Sequence, residues 1–277
     1  MADAEKAHPI PFIPQGAELT PDVLEEQERR LSEILDELIA KAEEHGATIR
    51  VLGALAFRIK CPDYKWMEYE NERVLTDIDF VAYMKEIDRV QDTFFDLGWE
   101  ENQNVLRLFG DKRRIFYHPT EPVHTDIFID KLRFCHEIDF RGRLELDSPT
   151  ITLADLLLEK LQIVEINRKD LIDVMMLLRQ HEVSESEGDN SSVDGAYIAR
   201  LMGSDWGFWR TSTMNIAKVE SFADDYLGVD EAAPVKKQLA VLSRLIDDQP
   251  KSMAWKLRSK IGDRVTWYRE VEEVERD

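Results

Sequence analysis

Leu24, Gln27, Leu31, Leu35, Leu38 and Ala42 recur at near-helical spacing behind Thr20-Pro21. They would share one face of a helix. The threonine offers a capping hydroxyl, the proline suits the first helical position, and Gly46 suits the stop. The pattern predicts an amphipathic helix of about six turns. Ahead of it, residues 1–19 hold Pro9, Pro11 and Pro14 among Ile10, Phe12 and Ile13, which reads as an arm that packs a few apolar side chains. Further on, residues 48–54 read as a strand ending in Gly53-Ala54, and 76–81 as a second strand. Ile87, Val90, Phe94 and Leu97 predict a helix stopped by Gly98. Strand-like runs follow at 105–109, 114–117 and 123–130, with a weaker one at 143–146. Residues 153–164, capped by Thr152, and 171–180 predict two helices. The polar run 182–195 reads as a linker. Beyond it Leu239, Leu242, Leu245 and Ile246 form one helical stripe, and Ala254, Leu257, Ile261, Val265 and Tyr268 another. Strands gather in the first 150 residues and helices after them, which predicts an α+β fold: a small mixed sheet flanked by helices, then a helical C-terminal region. The expected divisions are an arm over 1–19, a domain over 20–181, the linker, and a helical domain over 196–277.

Within the strand at 76–81, Asp77 and Asp79 stand at i and i+2. On a strand they point the same way, about 7 Å apart at roughly 3.3 Å per residue. Such a pair can offer oxygen to a hard cation such as magnesium. Asp and Glu make up 56 of the 277 residues, so acidic pairs are common here and the flanking pattern decides their meaning. Upstream, Gly53-Ala54 closes a strand and opens a turn whose amides suit an anion. Downstream, Asp126 lies in an apolar strand as a third carboxylate, with Asp130 competing for that place. Lys160, and then Lys169, Asp170 and Asp173, lie on the two following helices.

Composition narrows the chemistry. A formal charge of −20 argues against general duplex DNA binding, which needs Lys and Arg to neutralise phosphates; only a local patch such as Lys112-Arg113-Arg114 would serve RNA. Cys61 and Cys135 are too few for a disulfide framework or a zinc site. No apolar run is long enough to span a bilayer, and no basic-then-apolar leader opens the chain, so a cytoplasmic protein is expected. His118, His124 and His136 lack metal-binding spacing and read as structural. Trp206, Phe208 and Trp209 read as packing.

The order Gly-small, Asp-x-Asp, acid on a neighbouring strand resembles the DNA polymerase beta-like nucleotidyltransferase superfamily. Residues 153–162 (LADLLLEKLQ) and Lys169-Asp170-Leu171-Ile172-Asp173 are similar to its abortive-infection type IV toxin branch. The likeness covers residues 50–178. It implies that Asp77, Asp79 and Asp126 hold a pair of magnesium ions and that Asp126 draws the proton from an acceptor hydroxyl. It implies too that Gly53 and Ala54 cradle the β- and γ-phosphates of a nucleoside triphosphate and that Lys160 adds a cation. Lys169, Asp170 and Asp173 would then position the nucleotide. Three carboxylates and a triphosphate of charge about −4 approach balance against two divalent ions and one lysine. The implied activity is transfer of a nucleoside monophosphate to a hydroxyl of RNA, protein or a small molecule, in a toxin-like setting with a cognate antitoxin or other protein partner. Two departures stand out: Ala54 replaces the serine common in the superfamily, and the interval to Asp77 carries an insert at 60–73. Ala54 keeps a second reading open, a nucleotide-binding or protein-interaction module of the same fold with weakened catalysis.

Overall fold

The protein is described by a computed structural model covering residues 10–270. It is a mixed α+β molecule, 54% helix and 13% strand, in which a small mixed sheet is accompanied by helices. The chain divides into two compact units. One holds the residues up to Leu55 together with Glu68–Asp130, and the other holds Ala56–Met67 and everything from Lys131 onward.

The first unit opens with helix α1, Pro21–Glu44, whose Thr20 hydroxyl accepts from the Val23 N–H and whose buried stripe is the one expected from spacing. Strand β1 (Ile49–Leu52) leads into helix α2 (Gly53–Lys60), and α3 is Trp66–Glu70. Then come β2 (Ile78–Ala82), α4 (Ile87–Asp96), β3 (Glu100–Glu101), α5 (Gln103–Phe109), β4 (Arg113–Tyr117) and β5 (His124–Ile129). These strands form one sheet in the order β1-β2-β5-β4-β3. The β2–β5 pair is parallel and its neighbours are antiparallel.

Strand alternation gives this sheet two unlike faces. Val51, Phe80, Ile127 and Phe116 share one of them through the register. Phe94 of α4 stacks on Phe116 at 4.3 Å between centroids and meets Phe80 and Trp99 edge-on. That aromatic packing leaves the other face for Leu52, Asp79, Asp126 and Ile115. The arm is held too: Ile13 joins Leu24 and Tyr69 in a small core. The buried Gln27 amide donates to the carbonyls of Pro11 and Leu75.

Two strand expectations are corrected. Residues 105–109 are helical, because the Asn102 side chain accepts from the Asn104 and Val105 N–H groups and starts α5; the cap outweighs the strand-like apolar run. Residues 143–146 form a turn rather than a strand. There Arg143 reaches the buried Asp155 and lies 3.6 Å over the Tyr197 ring.

In the second unit, β6 (Lys131–Arg133) and β7 (Glu137–Asp139) make a hairpin. Helices α6 (Leu153–Leu161) and α7 (Arg168–Gln180) follow. The polar run 182–195 lies inside this unit: its ends form β8 (Val183–Ser184) and β9 (Val193–Asp194), which pair in parallel through two buried valines. Helices α8 (Gly195–Ser204), α9 (Trp206–Leu227), α10 (Val229–Asp248) and α11 (Met253–Ser259) complete it. The stripe expected through Tyr268 stops early: α11 ends at Ser259, Gly262 takes φ +61, and Leu257, Ile261 and Val265 are exposed. Trp206 and Phe208 are buried, and His136 stacks on Phe208. Among the described residues no helix is long and apolar enough to cross a membrane.

Candidate active site

Asp79 lies inside β2 and Asp77 one residue ahead of it. The parallel ladder sets Asp79 directly beside Asp126 of β5. Continued by one step past Ile78–Thr125, the same ladder sets Asp77 beside His124, whose Nε2 stands 3.5 Å from the Asp77 carboxylate. Register therefore places all three aspartates on the face away from the aromatic core. Asp130 lies elsewhere: it follows β5 with φ +59 and accepts from the Met84 N–H.

Asp77 is held by its approach. Leu75, two residues earlier, both donates to and accepts from the Gln27 amide of α1, and the Thr76 hydroxyl donates to Asp77 Oδ1 at 3.0 Å. Asp79 is shaped by Gly53. Leu52 is its ladder partner on β1, and the next residue, Gly53, has φ +71. That backbone favours glycine, and a Cβ there would fall 2.6 Å from Asp79 Oδ2 and press the carboxylate aside. The turn expected after Gly53 is the first turn of α2. Helix starts carry amides that find no acceptor within the helix and a partial positive charge. The Gly53-Ala54 pair thus sits where an anion is favoured, beside an acid that would be repelled by one unless cations intervene.

Asp126 is only 1% exposed. It accepts from Arg113 of β4 through both oxygens, from Nε at 2.7 Å and from Nη2. Burial works against the guanidinium charge. The bond to Asp126 and the charges of Asp126, Asp79 and Asp77 outweigh that burial, so its pKa rises above the ordinary arginine value. One cation thus feels all three carboxylates. The run Lys112-Arg113-Arg114 is accordingly no basic patch: Arg113 turns to this face, while Arg114 turns to the other and pairs with the buried Glu101.

The donor set is all oxygen and lies on one face, which suits a hard divalent ion. The arrangement does not present it to one point: among the described residues no three of His, Cys, Asp or Glu converge as a metal site. Asp126 faces Arg113 instead.

No family model, curated protein or solved structure matches this chain.

The second unit gathers the remaining candidates among themselves. Lys160 on α6 is buried and lies 3.2 Å from Asp170, 3.0 Å from Asp173 and 3.4 Å from Glu159. Asp170 closes a capping box with Asn167 at the start of α7, which Lys169 leaves toward solvent. Sequence reasoning singled out neither Arg113 nor Gln27 as a site residue, and it read His124 as structural. Nothing in the spacing distinguishes Arg113 from the arginine beside it; the pairing partner of β4 does.

Proposed function

We propose that the acidic face of the first unit is the centre of a nucleotidyltransferase, moving a nucleoside monophosphate from a triphosphate to a hydroxyl acceptor. The observation that carries this reading is the ladder pairing of Asp79 with Asp126, with Asp77 on the same face and the Gly53 helix start against Asp79. The first-turn amides of α2 would take the β- and γ-phosphates. Magnesium, when held by Asp77, Asp79 and Asp126, would neutralise charge at the α-phosphoryl group and orient the attacking oxygen. Asp126 would accept the acceptor's proton at a carboxylate oxygen as the oxygen–phosphorus bond forms and the bond to pyrophosphate breaks. The acceptor is a hydroxyl on RNA, protein or a small molecule, and a toxin-like role with a protein partner accompanies this reading through the sequence resemblance.

A second reading has its own observation. Ala54 offers no hydroxyl, and Arg113 holds Asp126, an arrangement that also suits a phosphate-binding module without turnover. Incubation with labelled triphosphates and magnesium separates them, comparing the protein with Asp77→Ala/Asp79→Ala. Pyrophosphate release and label transfer that need both acids support the transferase. Nucleotide binding without release supports the module.

A further inference from the structure

We propose that the outer face of α11 and of the turn after it docks the second unit onto an anionic lipid surface. This face shares no residue with the proposed transfer site. Ten large apolar side chains are exposed among the described residues, and four of them fall between 253 and 265: Met253 at 72%, Leu257 at 59%, Ile261 at 45% and Val265 at 58%. They recur every fourth residue, which on a helix gathers Met253 and Leu257 on one stripe with Ile261 following. Lys256, Lys260 and Arg264 each stand directly before one of them, and all three are exposed. Among the described residues these three form no ion pair. Residues 251–269 hold six Lys or Arg against Asp263 alone, in a chain of charge −20.

The inner face of this segment is already occupied, which leaves the outer one for a partner. The Ser252 hydroxyl caps α11 by accepting from the Trp255 N–H and donates to the Ser204 carbonyl. Trp255 meets Trp209 of α9 edge-on at 5.1 Å. The Arg258 guanidinium lies 4.5 Å over the Trp206 ring and donates to the carbonyls of Gly262 and Val265. Trp206, Trp209 and Trp255 thus turn inward, while aliphatic side chains and cations turn outward. That division argues against a nucleic acid, which stacks its bases on exposed rings. The segment 253–265 is also short of the roughly 20–30 residues a side that a stable protein interface uses. A bilayer sets no such minimum, because each apolar chain that enters it and each cation near its anionic headgroups adds its own share. The acidic remainder of the protein is screened from the headgroups beyond about 8 Å at physiological salt, so the basic segment decides the sign of the contact. Docking here means lying on the surface: no described helix is long and apolar enough to cross it.

The test mixes the full chain with vesicles of phosphatidylcholine containing about a third phosphatidylglycerol, or of phosphatidylcholine alone, at about 0.1 M salt, and reads partition by flotation. The five acids of residues 270–277 compete for the same cations, so the chain is used whole. The wild type should partition onto the anionic vesicles at least about ten-fold better than onto the neutral ones, and lose most of that advantage in about 1 M salt. Lys256→Gln/Lys260→Gln/Arg264→Gln should lower anionic partition about 100-fold, and Leu257→Ser/Ile261→Ser about ten-fold. All five side chains are exposed, so folding is expected to survive, checked by circular dichroism. Should either variant unfold, Leu257→Cys carrying an environment-sensitive dye takes its place, since Cys61 and Cys135 are buried. Brightening on anionic but not neutral vesicles supports docking, and its absence overturns it. A wild type that stays off the anionic vesicles overturns the proposal, as does partition that the glutamine variant retains. A concentration-dependent dimer in sedimentation, or binding to single-stranded RNA, lost in these variants without any vesicle binding, gives the face to another partner and equally overturns it. None of these outcomes bears on nucleotidyl transfer.

Discussion

Gly53 carries two constraints, a left-handed backbone and contact with Asp79. Gly53→Ala is expected to cost about 1–2 kcal/mol for the backbone alone, read by urea unfolding. It should also displace Asp79 and lower transfer by about 10- to 100-fold, since small misplacements weigh heavily on rate. The neighbouring Ala54→Ser adds a hydroxyl at the helix start, and a several-fold gain in triphosphate affinity is expected by titration. In the second unit, burial holds His136 down to about 4 from an ordinary 6.5, with Asp205 opposing and Arg269 assisting. The sign follows from linkage. Below about pH 6.5 the unfolded chain takes a proton that the folded chain refuses until about pH 4. Stability should therefore fall as pH drops through that window, by up to roughly 3 kcal/mol, and His136→Asn should flatten the slope in urea titrations at stepped pH.

Helix α1 and the strand pair β2–β5 decide where the acids stand. Gln27 ties α1 to Leu75 in both directions and to the Pro11 carbonyl, so Gln27→Leu leaves three buried backbone groups without that partner. A loss of about 2–4 kcal/mol is expected, with transfer falling more than stability explains, because Asp77 hangs from that segment. Phe94→Ala empties the aromatic packing behind the sheet and should cost about 3–5 kcal/mol by chemical denaturation. These elements were differently legible. The cap, proline and three-four spacing of α1 state a helix outright, and the apolar residues around Asp79 and Asp126 state strands. Residues 105–109 are apolar apart from Arg107 and read like a strand, yet the Asn102 side chain starts a helix there by accepting from two backbone N–H groups. Which acid faces Asp79 depended on register between strands distant in sequence. That separates Asp126 from Asp130, and the same pairing brings Arg113 to the face where no linear pattern placed it.

Across the molecule, a charge of −20 coexists with arginines committed to specific carboxylates: Arg113 to Asp126, Arg114 to Glu101, Arg143 to Asp155. These three arginines are committed to buried carboxylates and are not part of a surface that would neutralise a polyanion. The most direct test of the central claim is transfer of label from an α-phosphorus-labelled triphosphate, with magnesium, by the wild type, Asp79→Asn and Asp126→Asn, each verified as folded by circular dichroism. The pairing of Asp79 with Asp126 on one face predicts that both substitutions lower transfer on the order of 100-fold. Transfer by folded Asp126→Asn at the wild-type rate would contradict it.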